Sequence, residues 1–317
     1  MTQADILEAQ RTITNYAISA QSRFRGCLLG LACGDAVGTT VEFRARGSFE
    51  PLTDMVGGGP FGLEPGEWTD DTSMALCLAA SLAETGRCDP NDHMLRYLRW
   101  MDTGYMSSNG RCFDVGNTTR KALEKFRATG HALDGPVAAD QAGNGALMGL
   151  APVVLFAYPF RSKALDLAEV ATKTTHGAAE CIEASRLFAA MLMQALAGST
   201  KEGVLFGHDV HRLRSPRLIA IARGGYVGKP IGEIRGSGYV VESLEAALWC
   251  FWSTDSFEQA ILAAANLGED ADTTAATCGQ LAGAYYGLDD IPAHWRSRLV
   301  MHDDILNFAD RMHGSER

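Results

Sequence analysis

The chain has 317 residues, with 28 Lys+Arg against 38 Asp+Glu and a net charge of −10. Hydrophobic residues at 46% and charged residues at 21% exclude global disorder, and a chain this long folds without a disulfide or zinc staple. The acidic balance has no compensating Lys/Arg run, which excludes a protein that grips nucleic acid through its phosphates. A phosphate-bearing ligand would need a local receptor.

Residues 1–22 read as an N-terminal extension, in which Ile6, Leu7, Ile13, Tyr16 and Ala17 could form an amphipathic arm suited to a partner. No basic-then-apolar leader opens the chain. The longest apolar runs, such as 146–158, fall short of the roughly 18 residues that a spanning helix needs. Eight scattered cysteines, without C-x-x-C or a Cys/His cluster, read as buried free thiols in a reducing compartment. Together these point to a cytoplasmic protein away from membranes.

From residue 23 onward the apolar periodicity is helical. Leu28, Leu29, Leu31, Ala32 and Ala36 fit one helix face; Met74, Leu76, Cys77, Leu78, Ala80 and Leu82 fit a second; Leu281, Ala282, Ala284 and Tyr285 fit a third. Alternating strand patterns are scarce. The expected fold is all-α, a compact multi-helix single domain over residues 23–317. The 34 glycines read as loop junctions rather than a repeat, with clusters at 57–59, 143–145, 224–225 and 236–238.

Two segments share one design: Trp68-Thr69-Asp70-Asp71-Thr72 and Gly268-Glu269-Asp270-Ala271-Asp272-Thr273-Thr274 each lead into an apolar helix. Asp and Thr at a helix start are ordinary caps. Two close carboxylates plus a Thr, twice, exceed what capping requires. Four such carboxylates side by side would repel unless protonated or neutralised by cations, and an oxygen-only donor set suits Mg²⁺ or Mn²⁺ rather than zinc. Spacing alone leaves open whether the two segments meet. Glu42, past the run Gly34-Asp35-Ala36-Val37-Gly38, and Asp114, in Phe113-Asp114-Val115-Gly116-Asn117-Thr118, read singly as a solvated residue and a helix cap.

Taken in order, these stretches resemble the ADP-ribosylglycohydrolase family, close in pattern to its bacterial members that act on dinitrogenase reductase. The resemblance runs from Gly34–Gly38 with Glu42, through Thr69–Thr72, Asp114–Thr118, Ala142–Ala146 and Thr175-His176, to Asp270–Thr273. It implies an all-α fold with a binuclear metal cleft holding two divalent cations, Mg²⁺ or Mn²⁺. Thr69, Asp70, Asp71, Asp270, Asp272 and Thr273 would be the ligands. Glu42 would stand beside the metals, as ligand or as a carboxylate closing on substrate, and Asp114 would be a second carboxylate near the scissile bond. Asn117, Gly143, Asn144, Gly145 and His176 would bind substrate, and Tyr239 resembles the aromatic that flanks the adenine or ribose. Glu269 stands where many members have Gly, and Gly149 replaces an expected basic residue.

The implied activity is metal-dependent removal of mono-ADP-ribose from modified protein side chains, with arginine as acceptor and ADP-ribose as product. Hydrolysis would pass through an oxocarbenium-like state with Glu42 or Asp114 as base. The alternative is an immunity protein that neutralises an ADP-ribosyltransferase toxin by hydrolysis and by blocking it with residues 1–22. Neither nucleic acid nor membrane is an expected partner.

Overall fold

The computed structural model describes residues 18–314. The arm expected over residues 1–22 falls mostly outside them, and the expected boundary at 22/23 lies within the first turn of a helix that begins at Ala20. The described residues form α-helices joined by loops and short 3-10 turns, with no β-strand. In chain order these are α1 (Ala20–Gly38), α2 (Asp70–Thr85), α3 (Pro90–Thr103), α4 (Asn117–Thr129), α5 (Ala151–Ala157), α6 (Arg161–Thr175) and α7 (Ala179–Leu196). There follow α8 (Lys201–Leu205), α9 (Pro216–Ala222), α10 (Val240–Trp252), α11 (Phe257–Ala265), α12 (Ala271–Tyr286), α13 (Ala293–Arg298) and α14 (His302–Gly314).

The axis of the fold is the antiparallel pair α1 and α12. Both are buried on nearly every side, so the single apolar faces expected from periodicity understate them. Their closeness comes from glycine. A Cβ added at Gly26, Gly30, Gly34 or Gly38 would lie 2.3, 2.4, 2.1 or 2.4 Å from the carbonyl oxygens of Gly283, Gly279, Ala275 and Ala271 respectively. Those four glycines recur every fourth residue on one face of α1, which corrects the reading of the glycines as loop junctions without a repeat. The seam excludes side chains so that two backbones can touch.

Arg23 is buried at the far end of this pair. Its guanidinium donates to the carbonyl oxygens of Ala195, Ala284 and Tyr285, satisfying the last turns of α7 and α12. The main core surrounds the pair and draws on α2, α5, α7, α10, α11 and α14. A satellite core of Met94, Tyr97, Trp100, Leu123 and Phe126 fixes α3 and α4 against α2, and so places the intervening loop that carries Asp114. All eight cysteines are free and six are buried, as expected. No helix among the described residues is long and apolar enough to cross a membrane.

Candidate active site

The seam sets the site. It runs out where the C-terminal end of α1 meets the N-terminal end of α12, and the N-terminus of α2 joins them there. Asp35, on α1, is fully buried and accepts four hydrogen bonds: Thr69 N–H and Oγ1 at 2.9 Å each, Thr72 N–H at 2.9 Å and Thr72 Oγ1 at 2.7 Å. It therefore caps α2 from a different helix. Thr69 makes no side-chain cap of its own, and neither does Asp270 at the start of α12. Asp70, Asp71, Asp270 and Asp272 are thus released from the capping role that their positions suggest.

The two acidic segments meet. Thr69 Oγ1 lies 3.2 Å from Asp272 Oδ2, and Thr273 Oγ1 donates to Asp71 Oδ1 at 3.1 Å, a reciprocal cross-link between the starts of α2 and α12. Carboxylate oxygens of Asp35, Asp71 and Asp272 lie within 4.8 Å of one another, as do those of Glu42, Asp114 and Asp272. Asp272 belongs to both groups, and its Oδ1 is buried without a hydrogen-bond partner.

Such crowding moves protons. Burial first, then the charges of Asp114 and Asp270, push Glu42 up to about 9. Burial first, then Asp35 and Asp270, push Asp114 up to about 7. Burial also drives Asp70, Asp71 and Asp272 far above the ordinary carboxylate range. An orphaned acceptor oxygen among acids that resist ionisation, with threonine hydroxyls beside them, is a donor set that hard divalent cations fit.

Above these acids opens a cleft of about 470 Å³, lined by Glu42, Asp70, Asp114, Asp270, Asp272 and Thr273 at one part and by Asn117, Gly143, Asn144, Gly145 and His176 at another. Asn144 Nδ2 donates to Asp270 Oδ2 at 3.1 Å, which ties the glycine loop to the acids. A Cβ at Gly145 would stand 2.7 Å from His176 Cε1, so the loop needs glycine to lie on the imidazole. Burial lowers the His176 pKa to about 4, so the ring is neutral. Helix α4 opens on the cleft with Gly116 before it and no side-chain cap, leaving its first N–H groups available.

A model of the family described as ADP-ribosylglycohydrolase matches residues 17–317. The chain belongs to the ADP-ribosylglycohydrolase family. It is 45% identical over 289 residues to "ADP-ribosylarginine hydrolase Tri1" of Serratia proteamaculans, covering 91% of this chain and 78% of that one. It is 34% identical over 291 residues to "ADP-ribosyl-[dinitrogen reductase] glycohydrolase" of Rhodospirillum rubrum, covering 89% of this chain and 92% of that one. A solved structure described as an "ADP-ribosylglycohydrolase-related protein complex" superposes with a TM-score of 0.80 at 43% identity, covering 93% of this chain and 98% of that chain. This chain is an enzyme of that family, a glycohydrolase acting on ADP-ribosyl linkages.

Within this glycohydrolase, thirteen of the fourteen expected site residues can be followed to one place: eleven line the cleft, while Thr69 and Asp71 lie beneath it, hydrogen-bonded to Asp272 and Thr273. Tyr239 stands apart from the lining. Its hydroxyl donates to Glu180, Arg217 lies 5.7 Å over its ring, and its backbone pairs with Gly143. Tyr239 therefore braces the glycine loop through its backbone. Glu269 has φ of 60°, a left-handed conformation that suits glycine, and its carboxylate accepts from Arg235 at 3.2 Å on the surface, away from the acids. Asp35 carried no role in the sequence reading. The available signal was a lone carboxylate in the last turn of a helix built from small, apolar residues, where burial demands partners.

Proposed function

We propose that this glycohydrolase removes mono-ADP-ribose from arginine side chains of modified proteins, with two divalent cations, Mg²⁺ or Mn²⁺, held between the starts of α2 and α12. The observation that carries the reading is the double grouping of carboxylates on Asp272, with an unpartnered buried oxygen at its centre. The arginine acceptor follows from relatives 45% and 46% identical, from Serratia proteamaculans and Pseudomonas putida, that are named ADP-ribosylarginine hydrolases.

Thr69, Asp70, Asp71, Asp270, Asp272 and Thr273 would supply the oxygen donors, and Asp35 orients Thr69 among them. When bound, such cations supply positive charge and Lewis acidity beside the ribose. The chain's own groups do the rest. The open start of α4 receives the diphosphate, which explains how an acidic protein binds a phosphate ligand. Neutral His176 and the glycine loop wall the cleft and hold the ribose end over the acids. The bond from ribose C1 to the arginine nitrogen breaks through an oxocarbenium-like state, the water oxygen bonds to C1, and Glu42 or Asp114 takes the water's proton and returns it to the departing guanidine.

The test is release of ADP-ribose from arginine-modified protein in Mg²⁺ or Mn²⁺. Asp70→Ala and Asp272→Ala should abolish it in folded protein. Full turnover in either variant, or in excess chelator, overturns the reading.

A further inference from the structure

Three phenylalanines form a run of rings that begins at the cleft with Phe43 and continues through Phe61 to Phe113. The centroids of Phe43 and Phe61 are 6.4 Å apart at 76°, and those of Phe61 and Phe113 are 5.2 Å apart at 51°. None belongs to either buried core cluster of the described residues. Phe43 lines the cleft, is 67% exposed, and holds φ at 62°, a backbone conformation unfavourable for a bulky side chain. Neither packing nor backbone preference accounts for a large apolar ring there.

The neighbours of these rings give them a use. Phe43 directly follows Glu42 and Phe113 directly precedes Asp114. The carboxylates of Glu42 and Asp114 are within 4.8 Å of each other. Two acids and a run of aromatic faces make a receptor for a flat cation. An aromatic face attracts a guanidinium, a carboxylate pairs with its N–H fork, and the rings cover its aliphatic stem.

We infer that Phe43, Phe61 and Phe113 form the acceptor subsite, on which the guanidinium and side-chain stem of the modified arginine lie while the ADP-ribose enters the cleft. This rests on the arginine reading proposed above. The alternative tenant, the adenine ring, lacks the forked N–H edge and the aliphatic stem that carboxyl groups flanked by aromatic rings would hold. It also sits at the far end of ADP-ribose from the C1 atom that these acids serve. The rings would therefore select the acceptor and leave the nucleotide untouched.

The experiment compares ADP-ribosylarginine as substrate with ADP-ribose as competing product, using the full chain with Mn²⁺. Phe43→Ala and Phe61→Ala should each raise KM for ADP-ribosylarginine about five- to thirty-fold, the effect of losing a cation–aromatic contact. Values of kcat should stay within about two-fold, inhibition by ADP-ribose should not change, and Phe43→Trp should restore KM. An unchanged KM in both alanine variants overturns the subsite. So does a parallel loss of ADP-ribose affinity, which would assign the rings to the nucleotide. Wild-type chain that hydrolyses serine-linked but not arginine-linked ADP-ribose overturns the proposed acceptor, and the guanidinium subsite with it.

Discussion

Phe43 and Glu269 are clasped backbone to backbone, each in the left-handed conformation. Phe43 N–H donates to the Glu269 carbonyl at 2.7 Å, and Glu269 N–H donates to the Arg44 carbonyl at 2.8 Å. The clasp fastens the segment that follows α1 to the segment that precedes α12. Glu42 and Asp270 flank it, so it sets the distance of one acid from the others.

Substitutions at Glu269 test the clasp. Glu269→Gly removes a side chain from a left-handed position and should raise stability by about 0.5–1 kcal/mol, offset slightly by the lost surface pair with Arg235. Glu269→Val, with a β-branched side chain, should lower it by about 1–2 kcal/mol and reduce turnover. Thermal unfolding and ADP-ribose release check both.

The glycine seam makes a sharper prediction. Gly34→Ala places a methyl 2.1 Å from the Ala275 carbonyl oxygen, and a backbone cannot swing aside as a side chain can. Stability should fall by about 3 kcal/mol or more, with activity lost because Asp35 and Asp272 ride on the two helices forced apart. Gly232→Ala, which meets nothing within 4 Å, should change denaturant midpoint and activity little.

Stability of the cation-free chain should fall as pH rises. Asp114 at about 7 and Glu42 at about 9 hold protons in the folded state that the unfolded chain releases near pH 4. A raised carboxylate pKa stabilises below the unfolded value and loses that contribution as pH passes the folded value. His93 and His176, lowered to about 4 by burial, act in the opposite sense, but only below about pH 6.5. Between about pH 6.5 and 9 the Tm of chelator-treated protein should therefore decline, and Mn²⁺ should flatten the slope. A rising Tm across that window would contradict the assignment.

Asp272→Asn should give a protein that is steadier but inactive. Neutralising the carboxylate shared by both acidic groups removes repulsion from a buried cluster. The chelator-treated variant should melt above chelator-treated wild type at pH 8, yet gain nothing from Mn²⁺ and release no ADP-ribose. A variant melting below wild type under those conditions would show that the cluster is not strained by charge.

The all-helical fold and the two acidic segments were legible in the sequence, because doubled carboxylates at helix starts exceed any capping need. Their meeting was not legible, since it depends on how closely α1 and α12 approach. That approach was written in the sequence at Gly26, Gly30, Gly34 and Gly38, yet glycine weakens a helix by about 1 kcal/mol, which favours reading it as a loop. Asp35 was passed over for a related reason: its partners, Thr69 and Thr72, come from another helix. Tyr239 reads in the sequence as a ligand-facing aromatic, and the pairing of its backbone with Gly143, which joins it to the glycine loop, was not legible there because the two lie far apart in the chain.

The seam also fixes when the site can exist. Thr69 and Asp272 touch across 203 positions of chain, and Arg23 reaches Ala284 across 261. No fragment that stops short of α12 can assemble the acids, and a ribosome must release nearly the whole polypeptide before the cleft closes around them. High sequence separation of this kind slows folding. The acidic cluster therefore assembles only once both partners of the seam have been synthesised, however early the other helices form.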